Sequence, residues 1–132
     1  MTKLLQMAEW AKLNDASDNL IPVSGPFALN MSNSDGTGLP LLKLDAFGAD
    51  IIYFEANKGV GTHVHDGDHI LIVIAGVGIV EYNGIEHDLK PGVCYLVPGS
   101  VPHAISAKTG LTMIAIGNKH VPVDSIKRMT PV

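Results

Sequence analysis

An antiparallel all-β fold, a barrel or a sandwich, is what the sequence predicts. From Leu39 onward short β-branched, apolar segments follow one another. The breaks between them are turn pairs such as Asn83-Gly84, Pro91-Gly92 and Pro98-Gly99, and no long helical pattern intervenes.

In chain order, residues 3–13 (KLLQMAEWAKL) place Leu4, Met7, Ala8 and Ala11 on one helical face, which predicts a short amphipathic N-terminal helix. Residues 15–19 prefer turns and end it. Residues 30–38 (NMSNSDGTG) read as the longest loop, too polar to be core. Strands are predicted over 49–55, 69–75, 77–82, 85–89, 92–97, 102–107 and 111–117. Asn83-Gly84 between apolar alternations is the strongest hairpin signal among the breaks. The layout expected is one domain over 1–132, with an N-terminal helix and arm (1–38), a β core (39–117) and a C-terminal tail (118–132).

Composition narrows the class of function. With 46% apolar and 17% charged residues the chain has enough hydrophobic surface to fold around a core. The longest apolar run, Ile70–Val80, is too short to span a bilayer as a helix. A net charge of −4 lacks the cationic field that would favour nucleic acid or anionic lipid. Lys3, Glu9 and Lys12 interrupt any signal-peptide pattern, and one cysteine allows no intrachain disulfide, so a cytoplasmic protein is expected. Cys94 itself is expected to be a small buried hydrophobe.

Strand 69–75 is apolar on both faces, with His69, Leu71, Val73 and Ala75 on one and Ile70, Ile72 and Ile74 on the other. A half-solvated strand would show only one. A homodimer interface is the expected cover for the second, with residues 1–29 as the alternative.

Five of the six histidines fall between His63 and His103. His63-x-His65 on a strand puts both imidazoles on one face. The turn Asp66-Gly67-Asp68 brings His69 beside them, and antiparallel hairpins could bring His103 opposite. Neutral imidazoles are good ligands for divalent transition ions. His87, on a hairpin, and His120, in a proline-containing tail, read as surface residues. Asp66 and Asp68 are candidate acceptors for imidazole N–H groups, or simple turn residues.

His63-Val64-His65, three residues, His69, six residues and Gly76 resemble the first motif of the cupin superfamily; Gly92, five residues, Pro98 and then His103 resemble the second. The departures are Asn57 where the first motif opens with glycine, Ser100 for the glycine after Pro98, Ala107 for the final asparagine, and His69 for the glutamate ligand. The resemblance, over about residues 39–117, implies a jelly-roll barrel binding one divalent transition metal (Zn, Ni, Fe, Co or Mn) through His63, His65, His69 and His103. Four neutral ligands in place of three and a carboxylate would leave the first shell at +2 instead of +1, favouring an anionic oxygen ligand. It implies an enzyme on a small oxygen-chelating molecule, either a Lewis-acid isomerase, cyclase or lyase or a dioxygenase, with a non-catalytic binding cupin as the contrasting class. Alternation makes Leu71, Val73, Ala75 and Ile105 candidates for an apolar pocket wall. If Ile51, Tyr53 and Glu55 point inward rather than Ile52 and Phe54, Tyr53 and Glu55 are acid/base candidates.

Overall fold

Period-two alternation sorts the chain into two facing layers. In a computed structural model, which describes residues 3–132, thirteen strands run as β1 (Ala11–Leu13), β2 (Leu20–Pro22), β3 (Leu29–Asn30), β4 (Thr37–Leu44), β5 (Phe47–Phe54), β6 (Gly59–Val64), β7 (His69–Ala75), β8 (Gly78–Tyr82), β9 (Ile85–Leu89), β10 (Cys94–Val97), β11 (His103–Ala107), β12 (Leu111–Gly117) and β13 (Thr130–Pro131). Six form one antiparallel sheet in the order β10-β7-β12-β5-β4-β3, and five form the other in the order β13-β6-β11-β8-β9. A separate hairpin joins β1 to β2. No helix among the described residues is long and apolar enough to cross a membrane.

The core lies between the sheets. Ile52 and Phe54, Leu71 and Val73, Leu111, Met113 and Ala115 face inward from the larger sheet; Val60, Val80, Ile105 and Ala107 meet them from the smaller. Every predicted strand forms, those over 69–75, 85–89 and 111–117 with unchanged bounds. Asn83 and Gly84 both take positive φ (50° and 81°) in the turn that pairs Tyr82 with Ile85, as a two-residue hairpin of this chemistry requires.

Three expectations fail. Residues 3–13 form no helix: Gln6 lies against β4, its side-chain amide donating to the Lys43 carbonyl and accepting from Lys43 N, while Ala11–Leu13 pairs with Leu20–Pro22. Eleven residues are too few to sustain a helix unaided, and strand partners are within reach. Residues 30–38 are not simply a loop: Asn30 ends β3, Thr37 starts β4, and Met31 is buried in the core. Cys94 is exposed, because Tyr95 and Val97 take the inward positions of β10.

Candidate metal centre

Local irregularity in β6 builds the site. His103 pairs with His63 and Ile105 with Val60, so β6 spends three residues where β11 spends two. This bulge lets both Val60 and His63 face inward despite their odd spacing. His65, two residues further, follows His63 into the cavity, and His103 meets them from β11.

The ligand atoms of His63, His65 and His103 lie within 4.8 Å of one another. Each imidazole is held from behind: His63 Nδ1 donates to the Gly61 carbonyl (2.8 Å), His65 Nδ1 to Gly67 (2.6 Å) and His103 Nδ1 to Val101 (2.7 Å). A carbonyl oxygen only accepts, so the proton of each neutral ring sits on Nδ1 and each Nε2 presents a lone pair. His65 Nε2 and His103 Nε2 face each other at 3.1 Å with no proton to place between them. Two nitrogens bound to one ion at about 2.0–2.1 Å stand about 3–3.4 Å apart. The donor set therefore fits one divalent transition ion.

Burial favours the neutral, ligating form of each ring. It pushes His63 down to about 4, and lowers His65 and His103 against the carbonyl bonds that raise them. Burial also takes His69 down to about 3, with the nearby His65 and the Arg128 charge adding to the effect.

His69 stands apart from the other three. It lines the same cavity, its ring centroid 4.4 Å from that of His65, but its nitrogens fall outside the 4.8 Å set. The ring lies over Gly117, where a Cβ would come within 2.3 Å of its Cδ2. The histidines brought together as ligands are thus three, not four.

The cavity, about 40 Å³, is mostly apolar around the histidines; of the expected wall residues Leu71 and Ile105 line it, with Met31, Ile52, Phe54 and Val97, whereas Val73 and Ala75, further along β7, do not. Because Ile52 and Phe54 take the inward face of β5, Tyr53 and Glu55 point away from it. Tyr53 packs on Phe27 instead, and Glu55 is exposed. The aspartates of the turn do not hold the imidazoles either; Asp68 Oδ1 accepts from Gly99 N (3.0 Å), and backbone carbonyls do the orienting.

The polar residues that reach the cavity without having been foreseen are Tyr95 and Arg128. Tyr95 was legible, since it alternates with Val97 on its strand; burial pushes its phenol up, so it stays protonated. Arg128 comes from the tail, which folds back so that Thr130–Pro131 pairs with Val64 and His63. Arg128 Nη1 donates to Asp50 Oδ2 and to the Val121 carbonyl, both at 2.9 Å. His120 is no surface residue: its side chain is 5% exposed, and Nε2 lies 3.3 Å from Asp50 Oδ2. His87 is exposed as expected.

Two antiparallel sheets closed over three inward imidazoles define a small β-sandwich whose histidine cluster is compatible with one metal ion. Residues 50–117 match the Cupin domain family, and the chain belongs to it. No curated protein matches the chain. Among solved structures it is similar to salicylate 1,2-dioxygenase from Pseudaminobacter salicylatoxidans (TM-score 0.62, 18% identity, covering 67% of this chain and 28% of that one). It is also similar to KdgF from Halomonas sp. (TM-score 0.62, 20% identity, 66% and 81%) and to the conserved SPY1581 protein of Streptococcus pyogenes (TM-score 0.59, 15% identity, 82% and 100%). The chain thus spans under a third of the dioxygenase. At these identities the likeness is one of fold.

Proposed function

We propose that this chain is a metal-dependent enzyme acting on a small oxygen-chelating molecule, with the ion serving as a Lewis acid in an isomerase, cyclase or lyase type of reaction. The observation that carries the proposal is the unprotonated Nε2 pair of His65 and His103 at 3.1 Å, each ring fixed from behind by a carbonyl. Lone pairs so placed repel unless a cation sits between them.

A divalent ion bound here would polarise a substrate oxygen. The chain's own residues do the rest. His63, His65 and His103 supply neutral nitrogens that leave the ion's positive charge undiminished. The apolar walls exclude water and strengthen electrostatic interactions within. Tyr95, protonated and lining the cavity, has the Met113 sulfur 4.0 Å from its hydroxyl, a weak acceptor, and can donate a hydrogen bond to a substrate oxygen instead. Rotation of His69 off Gly117 would bring a fourth imidazole to the ion, the ligand set that the motif positions suggest.

The test is elemental analysis followed by turnover. Close to one equivalent of a transition metal per chain is expected, most of it lost in the His63→Ala/His65→Ala variant. Isomerisation, cyclisation or elimination of hydroxy- and oxo-acids is then sought with the Zn- or Ni-loaded protein. Wild type that refuses Zn, Ni, Fe, Co and Mn sinks the metal centre. Oxygen consumption by the Fe-loaded form alone would transfer the reading to a dioxygenase. Tight ligand binding without turnover across the panel would make the protein a binding cupin.

A further inference from the structure

The cavity holding the three imidazoles shares His65, His69 and Arg128 with a second hollow of about 70 Å³. Its rim adds Lys119 and Lys127, both exposed, against a single carboxylate, Asp66. Three cations gather here on a chain whose net charge is −4. Behind the rim, Arg128 is the one fixed charge lining the inner cavity, and no carboxylate lines it.

The donors of Arg128 are only partly used. Among the described residues its hydrogen bonds run from Nη1 alone, to Asp50 and Val121. Asp50 Oδ1 and His120 Nδ1 are sealed in without partners; Nε and Nη2 of Arg128 are not among such sealed atoms. They stay available to a ligand, and an Arg edge matches two coplanar oxygens. A divalent ion on neutral imidazoles adds charge that no lining carboxylate offsets, and buried charge without compensation is costly.

We infer that Arg128 is the anion-holding residue of this centre, receiving the carboxylate of a small carboxylic acid that enters past Lys119 and Lys127; this rests on reading the three histidines as a metal centre. The small volume favours a ligand of few atoms, and the planar fork favours carboxylate over phosphate. Asp50 acts through Arg128 as its positioning residue and counter-ion.

The experiment measures binding of pyruvate to the metal-loaded protein by calorimetry, with pyruvamide and inorganic phosphate as comparators, and metal content determined in every sample. Wild type should bind pyruvate and discriminate against pyruvamide. Asp50→Asn should tighten pyruvate by about threefold, by freeing the guanidinium of its counter-ion. Asp50→Asn/Arg128→Gln, which removes both buried charges together so that neither is stranded, should weaken it about tenfold or more. Lys119→Ala/Lys127→Ala should slow association and flatten its salt dependence while sparing metal content. Opposite shifts in the Asp50 and double variants are not produced by a merely structural pair. Equal pyruvate affinity in wild type and double variant, at equal metal content, overturns the inference and leaves the metal centre standing. Phosphate binding more tightly than pyruvate overturns the carboxylate assignment. Absence of metal overturns both.

Discussion

Gly99 is built against His65. Its carbonyl accepts from His65 N at 2.9 Å, and a Cβ at position 99 would stand 2.4 Å from His65 Nδ1 and 2.0 Å from the Gly67 carbonyl. The two residues belong to different turns, so this contact locks the turn that carries His65 at the end of β6 to the loop leading to His103. Gly99→Ala should therefore destabilise the protein by about 2 kcal/mol or more, because backbone atoms, not a flexible side chain, must give way. It should also weaken metal binding, since the displaced carbonyl is the one that orients His65. Ser100→Gly, by contrast, should change stability by no more than about 0.5 kcal/mol, Ser100 being exposed. Urea denaturation of the two variants settles the matter; equal effects would mean that the close approach at position 99 is unimportant.

That pair also shows what was readable in the sequence. The motif pattern places the glycine after Pro98 at position 100, yet the space is needed at 99. Asn57, another departure, has φ +66°, a region that asparagine tolerates nearly as glycine does, so the turn survives the exchange. Strands were legible wherever apolar alternation ran between turn pairs. β4 was not, because Pro40 and the register shift near it break the alternation. The His63-x-His65 pair and His103 were legible from spacing. The Asp50–Arg128 contact, 78 residues apart in the chain, leaves no local pattern, and His120 was misjudged for the same reason. The N-terminal periodicity was genuine, but periodicity alone does not supply the surface a short helix needs.

Acid should unfold the metal-free protein early. Unfolded imidazoles titrate near ~6.5, whereas burial holds folded His63 at about 4 and lowers His65 and His103. Between those values the unfolded chain binds more protons than the folded one, so stability rises with pH through this window and is lost on acidification. Above ~6.5 these groups contribute no further slope. Denaturation midpoints of chelator-treated protein, measured from pH 4 to 8, should fall below pH 6.5, and His63→Gln should make the fall shallower. A flat profile across the window would show that these rings are not buried neutral.

The outer face of the six-stranded sheet is proposed to meet a second copy of the chain. Ile70 (40% exposed), Leu96 (61%), Leu42, Leu44 and Phe47 leave apolar surface there, and residues 3–6 run along only the end of the sheet near Phe47. Such patches are uncommon on monomers. Sedimentation at micromolar concentration should give a dimer, and Leu96→Asp should shift it toward 14.0 kDa monomer. A wild-type monomer would refute the interface.

His69 is where this chain departs furthest from its family's motif, and where the position of one ring decides how many imidazoles would hold an ion. With the ring over Gly117, three protein ligands would hold an ion; with the ring turned in, four would. Both states leave the first shell at the ion's full +2, since every ligand is neutral. His69→Glu should keep the metal, because carboxylate oxygen at about 2.0–2.2 Å is an ordinary ligand, while lowering that charge by one and weakening anionic ligands. Turnover should fall with metal content near wild type if Lewis-acid activation is the chemistry. His69→Ala separates the two ligand sets. If the fourth imidazole binds, its loss loosens the ion and lowers the metal-dependent gain in melting temperature; metal held at 100 times its dissociation constant stabilises a fold by about 2.7 kcal/mol. If three imidazoles suffice, His69→Ala leaves metal content, melting temperature and chelator sensitivity unchanged. Thermal melts with and without chelator, run beside elemental analysis, distinguish these outcomes, and the second would remove His69 from the ligand set without disturbing His63, His65 and His103.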